Sequence, residues 1–170
     1  MKYTKMLVAL LATSLVLSCS KKDEKEKPQK PSEVSIIGKW KCISAKGDQP
    51  IGYDATGTPG YDFYEMGVLP DCRKNDLTIF LESKTLQLDE GETKCDPANK
   101  QTIFSGIWSV KSDTVHMEIN GRSTDSRILQ LDNTTLKIIY SGPYTRYYNN
   151  GTIDTVYANL NMTSTYQREK

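Results

Sequence analysis

Four cysteines, one histidine and a short acidic run are the residues whose types could support chemistry: Cys19, Cys42, Cys72 and Cys95, then His116, then Asp89, Glu90, Glu92 and Asp96. Cys72 and Cys95 sit in polar, turn-like surroundings, Pro70-Asp71-Cys72-Arg73-Lys74 and Thr93-Lys94-Cys95-Asp96-Pro97. In an oxidising compartment such thiols pair, and the bridge stabilises by roughly 3 kcal/mol, mostly through the unfolded chain. Cys42 lies inside an apolar alternation and reads as a small buried hydrophobe. His116 stands between Val115 and Met117 with no nucleophile beside it in sequence, so it reads as a surface histidine rather than a general base. Cys72 and Cys95 lack the paired close spacing of zinc sites. The acidic run could offer carboxylate oxygens to Ca²⁺, but it lacks regular ligand spacing and reads as a solvated turn pinned by the bridge. No catalytic residue, metal ligand or cofactor is expected, and nothing here asks for an enzyme.

Cys19 belongs to a different pattern. Lys2 and Lys5 precede an apolar run over residues 6–17, which ends at Ser18-Cys19. A charged start, a short apolar stretch and a small residue form a secretory signal over residues 1–18, and the stretch is shorter than the roughly 20 residues a permanent membrane helix needs. Val16-Leu17-Ser18-Cys19 resembles the bacterial lipobox, which implies that Cys19 is lipidated, becomes the mature N-terminus and holds the chain to a membrane. Residues 19–33 carry no side chain that could enter a core and read as a disordered tether. The Lys21-Lys22-Asp23-Glu24 cluster resembles the charged export signal of Bacteroidetes lipoproteins, which implies the outer face of the outer membrane; it reads equally well as a solvated spacer.

Removing Lys2 and Lys5 from 22 basic residues leaves 20 against 21 acidic ones, a net charge of −1. That balance gives no reason to expect a nucleic-acid partner. Residues 34–170 suffice for one domain with a real core and are too few for two.

Within that domain, short alternating segments are separated by Gly, Pro, Asn and Asp, without sustained helical periodicity, and this predicts an all-β fold. Strands are predicted over residues 37–44, 76–81, 85–89, 102–110, 114–120, 126–131, 135–141 and 155–167. Glu82-Ser83-Lys84, Lys111-Ser112-Asp113 and Asp132-Asn133-Thr134 are tight turns that join antiparallel neighbours. Successive hairpins make an up-and-down meander, and closing it into an antiparallel barrel of about eight strands removes its edges.

The alternation puts Trp40 and Cys42 inside, with Thr78 and Phe80, Leu86 and Leu88, Gly106, Trp108 and Val110, and Val115, Met117 and Ile119. Leu136, Ile138 and Tyr140 join them, as do Val156, Ala158, Leu160, Met162 and Tyr166. Lys39, Lys41, Lys111, His116, Glu118 and Lys137 fall outside. The pattern is mixed between Ile128 and Leu131, where a bulge or a covered outer face would account for it. Two long connections remain, residues 46–76 with Tyr53, Tyr61, Phe63 and Tyr64, and residues 142–154 with Tyr144, Tyr147 and Tyr148. Such aromatic loops read as lids or binding loops.

Gly38-Lys39-Trp40 resembles the Gly-x-Trp motif of lipocalins, repeated at Gly106-Ile107-Trp108. Asp71-Cys72-Arg73-Lys74-Asn75-Asp76, Phe80, the run from Asp89 to Pro97 and Ser105-Gly106-Ile107-Trp108-Ser109 are similar to the lipocalin-like domain of Bacteroidetes lipoproteins. The resemblance covers residues 36–140. It implies a lipocalin-like barrel with an apolar cavity, a pairing of the two matching cysteines, and a basic side chain, here Arg168, covering the first Trp. It names no ligand.

The leading functional expectation is a carrier or receptor for a small apolar or amphipathic ligand, lined by Trp40, Phe80, Trp108, Met117 and Tyr140. The alternative is a surface interaction module on a solid barrel, binding a glycan or a protein through its Tyr-rich loops. A monomer is expected in either case.

Overall fold

The computed structural model describes residues 36–147 and 152–170. The expected signal peptide, Cys19 and the expected tether lie outside the described residues, as do residues 148–151. Among the described residues ten strands follow in chain order: β1 (Gly38–Gly47), β2 (Gly52–Tyr53), β3 (Pro59–Gly60), β4 (Leu77–Phe80), β5 (Thr85–Asp89), β6 (Thr102–Lys111), β7 (Thr114–Ile119), β8 (Arg122–Leu131), β9 (Thr135–Tyr147) and β10 (Ile153–Arg168). One turn of 3-10 helix, Arg73–Asn75, precedes β4.

Eight strands close into an antiparallel up-and-down barrel in which β4 to β10 pair in succession and β1 pairs with both β10 and β4. The short β2–β3 hairpin lies in the β1–β4 connection. All eight predicted strands are present. The β7–β8 turn departs from expectation: Asn120 (φ 52°) and Gly121 (φ 74°) form a two-residue hairpin turn, so β8 begins at Arg122 rather than at residue 126. Two successive left-handed residues match the twist of the strands they join, and Asn-Gly supplies them with least strain.

Gly38, Phe80, Lys84, Lys111, Asp132 and Arg168 collect at one end of the barrel, which is closed. Trp40 is fully buried there; its indole N–H donates to the Ile36 carbonyl at 2.7 Å. The Arg168 guanidinium lies 4.2 Å above the Trp40 ring and donates to the Ile37 carbonyl at 2.7 Å, which is the cover the resemblance implied. A second cap repeats the design: Trp108 donates to the Leu81 carbonyl at 3.1 Å, under the Lys84 ammonium at 4.5 Å. Phe80 meets Trp108 edge to face, with ring centroids 5.4 Å apart. Leu86, Val115, Ile128, Leu136 and Ile138 complete this half as a packed core. At Gly106, beside Trp108, an added Cβ would lie 2.0 Å from the Glu118 carbonyl, so the closeness of β6 to β7 explains the glycine of the second Gly-x-Trp.

Two bulges re-aim side chains. The register shifts between Ile128 and Gln130, which resolves the mixed pattern there: Ile128 and Leu131 both point inward and Leu129 is exposed. A second shift between Tyr157 and Leu160 corrects the expected inward face of β10. Leu160, Met162 and Tyr166 point inward as predicted. The extra residue reverses the parity before them, so Val156 (65 % exposed) and Ala158 face solvent while Tyr157 turns inward.

Residues 142–147 and 153–154, expected in a long connection, are strand rather than loop. β9 and β10 continue as a paired arm with Tyr144 opposite Tyr157 and Thr145 opposite Val156. Such aromatic and β-branched cross-strand pairs sustain a ladder beyond the barrel wall. The β1–β4 connection does remain an excursion, but it is packed down on the mouth, the end opposite the closed one.

Candidate functional site

The mouth is built from the excursion, the disulfide, the β7–β8 turn and the β9–β10 arm. On the β1 side it is closed by a plug. The N–H of Gly47 donates to Tyr61 O and that of Phe63 to Ala45 O, so residues 61–63 run along β1 where β4 no longer reaches. Asp62, 3 % exposed, accepts from the Ser44 hydroxyl and from the N–H groups of Ala45 (3.3 Å) and Tyr64 (2.8 Å). This drops Tyr64 towards the barrel interior, where its hydroxyl stands beside the Cys42 thiol, close to Tyr166. Burial pushes the Cys42 thiol up, and does the same to the Tyr64 and Tyr166 phenols. Cys42, whose thiol also donates to the Ser44 carbonyl at 3.3 Å, is therefore protonated at neutral pH and a poor nucleophile, a packing residue.

The excursion is also stapled to the arm. Tyr144 and Tyr157 donate their hydroxyls to Ile51 O (2.7 Å) and Pro50 O (3.0 Å), and Arg146 donates to Pro50 O at 3.2 Å while pairing with Asp154. Ile51, Met66 and Leu160 form a small apolar cluster beneath. Tyr64 and Tyr144, with Tyr157 of β10, thus hold the excursion in place, while Tyr61 and Tyr147 remain about half exposed.

On the opposite side, Cys72 and Cys95 are joined, with Cα atoms 5.1 Å apart, as expected. The bridge pins the β5–β6 connection to the 3-10 helix. The acidic run there is not wholly solvated: Glu90 is 1 % exposed and lies 3.9 Å from Arg73, which also contacts Asp76 at 3.3 Å. Burial raises the Asp76 carboxyl, against the pull of Arg73. Among the described residues no group of three or more His, Cys, Asp or Glu is placed to hold a metal ion.

Between these two closures the barrel wall parts. The β8–β9 ladder ends at Ser126 opposite Tyr140, and above it β8 continues only with β7. The parting leaves a cleft of about 480 Å³ lined by Met117, Ile119, Asn120, Arg122 and Thr124. Met117 faces Thr124 and Ile119 faces Arg122 across the β7–β8 ladder, so an apolar wall stands beside a polar one. One step along the same ladder, Val115 and Ser126 stand opposite each other and are buried at 0 % and 2 %. Arg122 makes no ion pair among the described residues.

Of the five predicted lining residues, only Met117 lines this cleft. Trp40, Phe80 and Trp108 point inward as predicted, but they are packed at the closed end with 0 %, 1 % and 2 % exposure. Tyr140 is half-buried on the inner face and folds up its own strand, with its hydroxyl where a Cβ on Gly142 would sit. Sequence reasoning missed Arg122, Asn120 and Thr124, because the Asn-Gly turn that brings them to the mouth was not read as a hairpin.

His116 faces outward as expected. The pairing adds what neighbours along the chain could not show: Ser109 of β6 and Asp125 of β8 stand directly opposite it on either side. Its Nδ1 lies 2.7 Å from Asp125 Oδ1. No protein-family model matches the sequence, and no curated protein does.

Proposed function

We propose that this chain is a lipoprotein held to a membrane through Cys19, whose barrel seats a small amphipathic molecule in the mouth cleft. The cleft carries this reading: about 480 Å³ falls within the range of small-molecule sites, and its lining changes from apolar to polar across one ladder. The apolar part of a ligand rests on Met117 and Ile119, and its polar head reaches Asn120 and Arg122. The packed closed end sets the depth of the site. The lipobox-like residues before Cys19 and the motifs around Trp40, Cys72, Cys95 and Trp108 support placing the chain with the lipocalin-like lipoproteins of Bacteroidetes, with the outer membrane as its site.

The test is native mass spectrometry of the mature chain against a panel of single-chain amphiphiles, repeated with Met117→Trp, which fills the cleft from a half-buried position. Binding lost in a folded Met117→Trp variant is the expected result; binding that survives it removes the site. For the anchor, Cys19→Ser is expected to move the protein from the membrane fraction to the soluble one. Persistence in the membrane would overturn the lipid assignment.

A second reading rests on Tyr61 and Tyr147, 47 % and 51 % exposed at the mouth. In it the barrel is a scaffold and these side chains bind a glycan or a protein surface. Glycan-array binding that disappears in the Tyr61→Ala, Tyr147→Ala double variant would favour this reading over the carrier.

A further inference from the structure

On the outer wall, away from the mouth, the ladder aligns three residue types that rarely meet without consequence. Ser109, His116 and Asp125 occupy one row across β6, β7 and β8, each opposite the next, and all three face outward. Asp125 Oδ1 lies 2.7 Å from His116 Nδ1. When Asp125 accepts the Nδ1 proton, Nε2 keeps its lone pair and becomes the free basic edge of the ring. Ser109 stands on the other side of His116, and its hydroxyl has no hydrogen-bond partner among the described residues. Directly opposite residues on adjacent strands have Cα atoms about 4.5–5.5 Å apart, so a rotamer change sets the distance between hydroxyl and imidazole. The three residues share a surface cleft of about 530 Å³ with Lys111, Ser112, Asp113 and Thr114.

We propose that this row is a nucleophilic site for short-chain esters of hydrophilic alcohols. The lining selects the substrate class: every side chain around the cleft is polar or charged, which suits a small acyl group on a hydroxyl-rich carrier and offers nothing to a long chain. Ser109 Oγ attacks the acyl carbon while its proton passes to His116 Nε2. The tetrahedral intermediate collapses, the C–O bond to the alcohol breaks, and the alcohol leaves with the proton from His116. Water, deprotonated by His116, then cleaves the acyl-serine to release the acid and restore Ser109. Lys111, two residues along β6 on the same face, is the cation near the developing oxyanion. Asp125 is a positioning residue that acts through His116. Its side chain is 70 % exposed and that of His116 41 %, so the pair works in a high dielectric and the site is a slow catalyst.

The test uses the mature chain with an activated acetyl ester and, separately, a fluorophosphonate probe read by intact mass and peptide mapping. The expected result is one phosphonylated site at Ser109, with ester hydrolysis reduced about 100-fold in Ser109→Ala and in His116→Gln. Asp125→Asn should lower the rate about tenfold, and Asp125→Glu should recover most of it, a rescue that a purely structural role would not give. All four substitutions lie on the solvent face, and an unchanged circular dichroism spectrum confirms that each folds. The assignment is overturned if the probe labels another residue or none. It is also overturned if hydrolysis persists in Ser109→Ala while failing in His116→Gln, because that pattern is bare imidazole catalysis.

Discussion

Removing the Cys72–Cys95 bridge with a Cys72→Ala, Cys95→Ala double variant isolates one contribution whose size follows from chain length. The bridge closes a separation of 23 residues. Loop-closure entropy for such a length is about 11 cal/mol/K, which near room temperature corresponds to about 3.4 kcal/mol. The effect acts on the unfolded chain, so urea unfolding should show a lower midpoint together with a steeper slope, since the uncrosslinked chain exposes more surface. Unfolding kinetics should stay nearly constant and refolding should slow, provided the loop closes before the transition state. A loss below about 1 kcal/mol would refute the reasoning, because it would mean that β4, β5 and the 3-10 helix already hold the loop ends together when the rest is unfolded. A loss well beyond the calculated value would refute it in the opposite sense, by locating the bond's role in the native packing of Glu90 against Arg73.

The two halves of the barrel should respond differently to truncation. Trp108→Ala, at 2 % exposure, is expected to cost about 3–5 kcal/mol, while Met117→Ala at the half-open mouth costs about 1 kcal/mol in the same urea titration. Gly142→Ala places a Cβ 2.0 Å from the Tyr140 hydroxyl and should destabilise by about 1–3 kcal/mol; combined with Tyr140→Ala, the two losses should sum to less than their separate values. Asp132 accepts from Thr134 N–H, Thr135 N–H and both neighbouring side chains, and the Gln130 amide and these N–H groups hold its carboxyl well below the usual range. A depressed carboxyl contributes stability that is present above its unfolded value, about 3.9, and is lost as pH falls. Asp132→Ala should therefore be less stable than the parent at pH 7, and the two should converge as thermal melts are repeated from pH 4 downward.

Much of this architecture was legible because barrel strands are half-buried and announce themselves with period two. Residues 85–89 alternate so cleanly that strand and prediction coincide, and Cys72 and Cys95 paired from their surroundings. What period two reports is the face of the wall, not the height along the axis. Trp40, Phe80, Trp108 and Met117 all read as inward, yet strand stagger alone put three in the packed floor and one at the mouth. The bulge before Leu160 had no residue signature, so the parity of Val156 and Ala158 came out reversed. Gly142-Pro143 looked like loop punctuation, although β9 passes through it because Tyr144 and Tyr157 pair across the arm. Asn120-Gly121 was the readable signal that went unused. Reading it as a two-residue turn sets the register of β7 and β8, and with it both the Arg122 rim and the opposition of His116 to Asp125. Tyr64 beside Cys42 is a contact between an excursion and a distant strand, and no local pattern encodes it.

The ladder that seals the wall joins Trp40 to Arg168 and Gly47 to Met162, so the first strand lacks half its partners until the last one has been synthesised. A nascent chain on the ribosome carries a growing but unsealed sheet, and the Trp40 cap arrives last of all. Sealing thus waits for the tenth strand and spans the whole barrel sequence, slow in the manner of folds dominated by distant pairings. Until that strand is in place, the wall stands open along the whole length of β1 beyond Lys41.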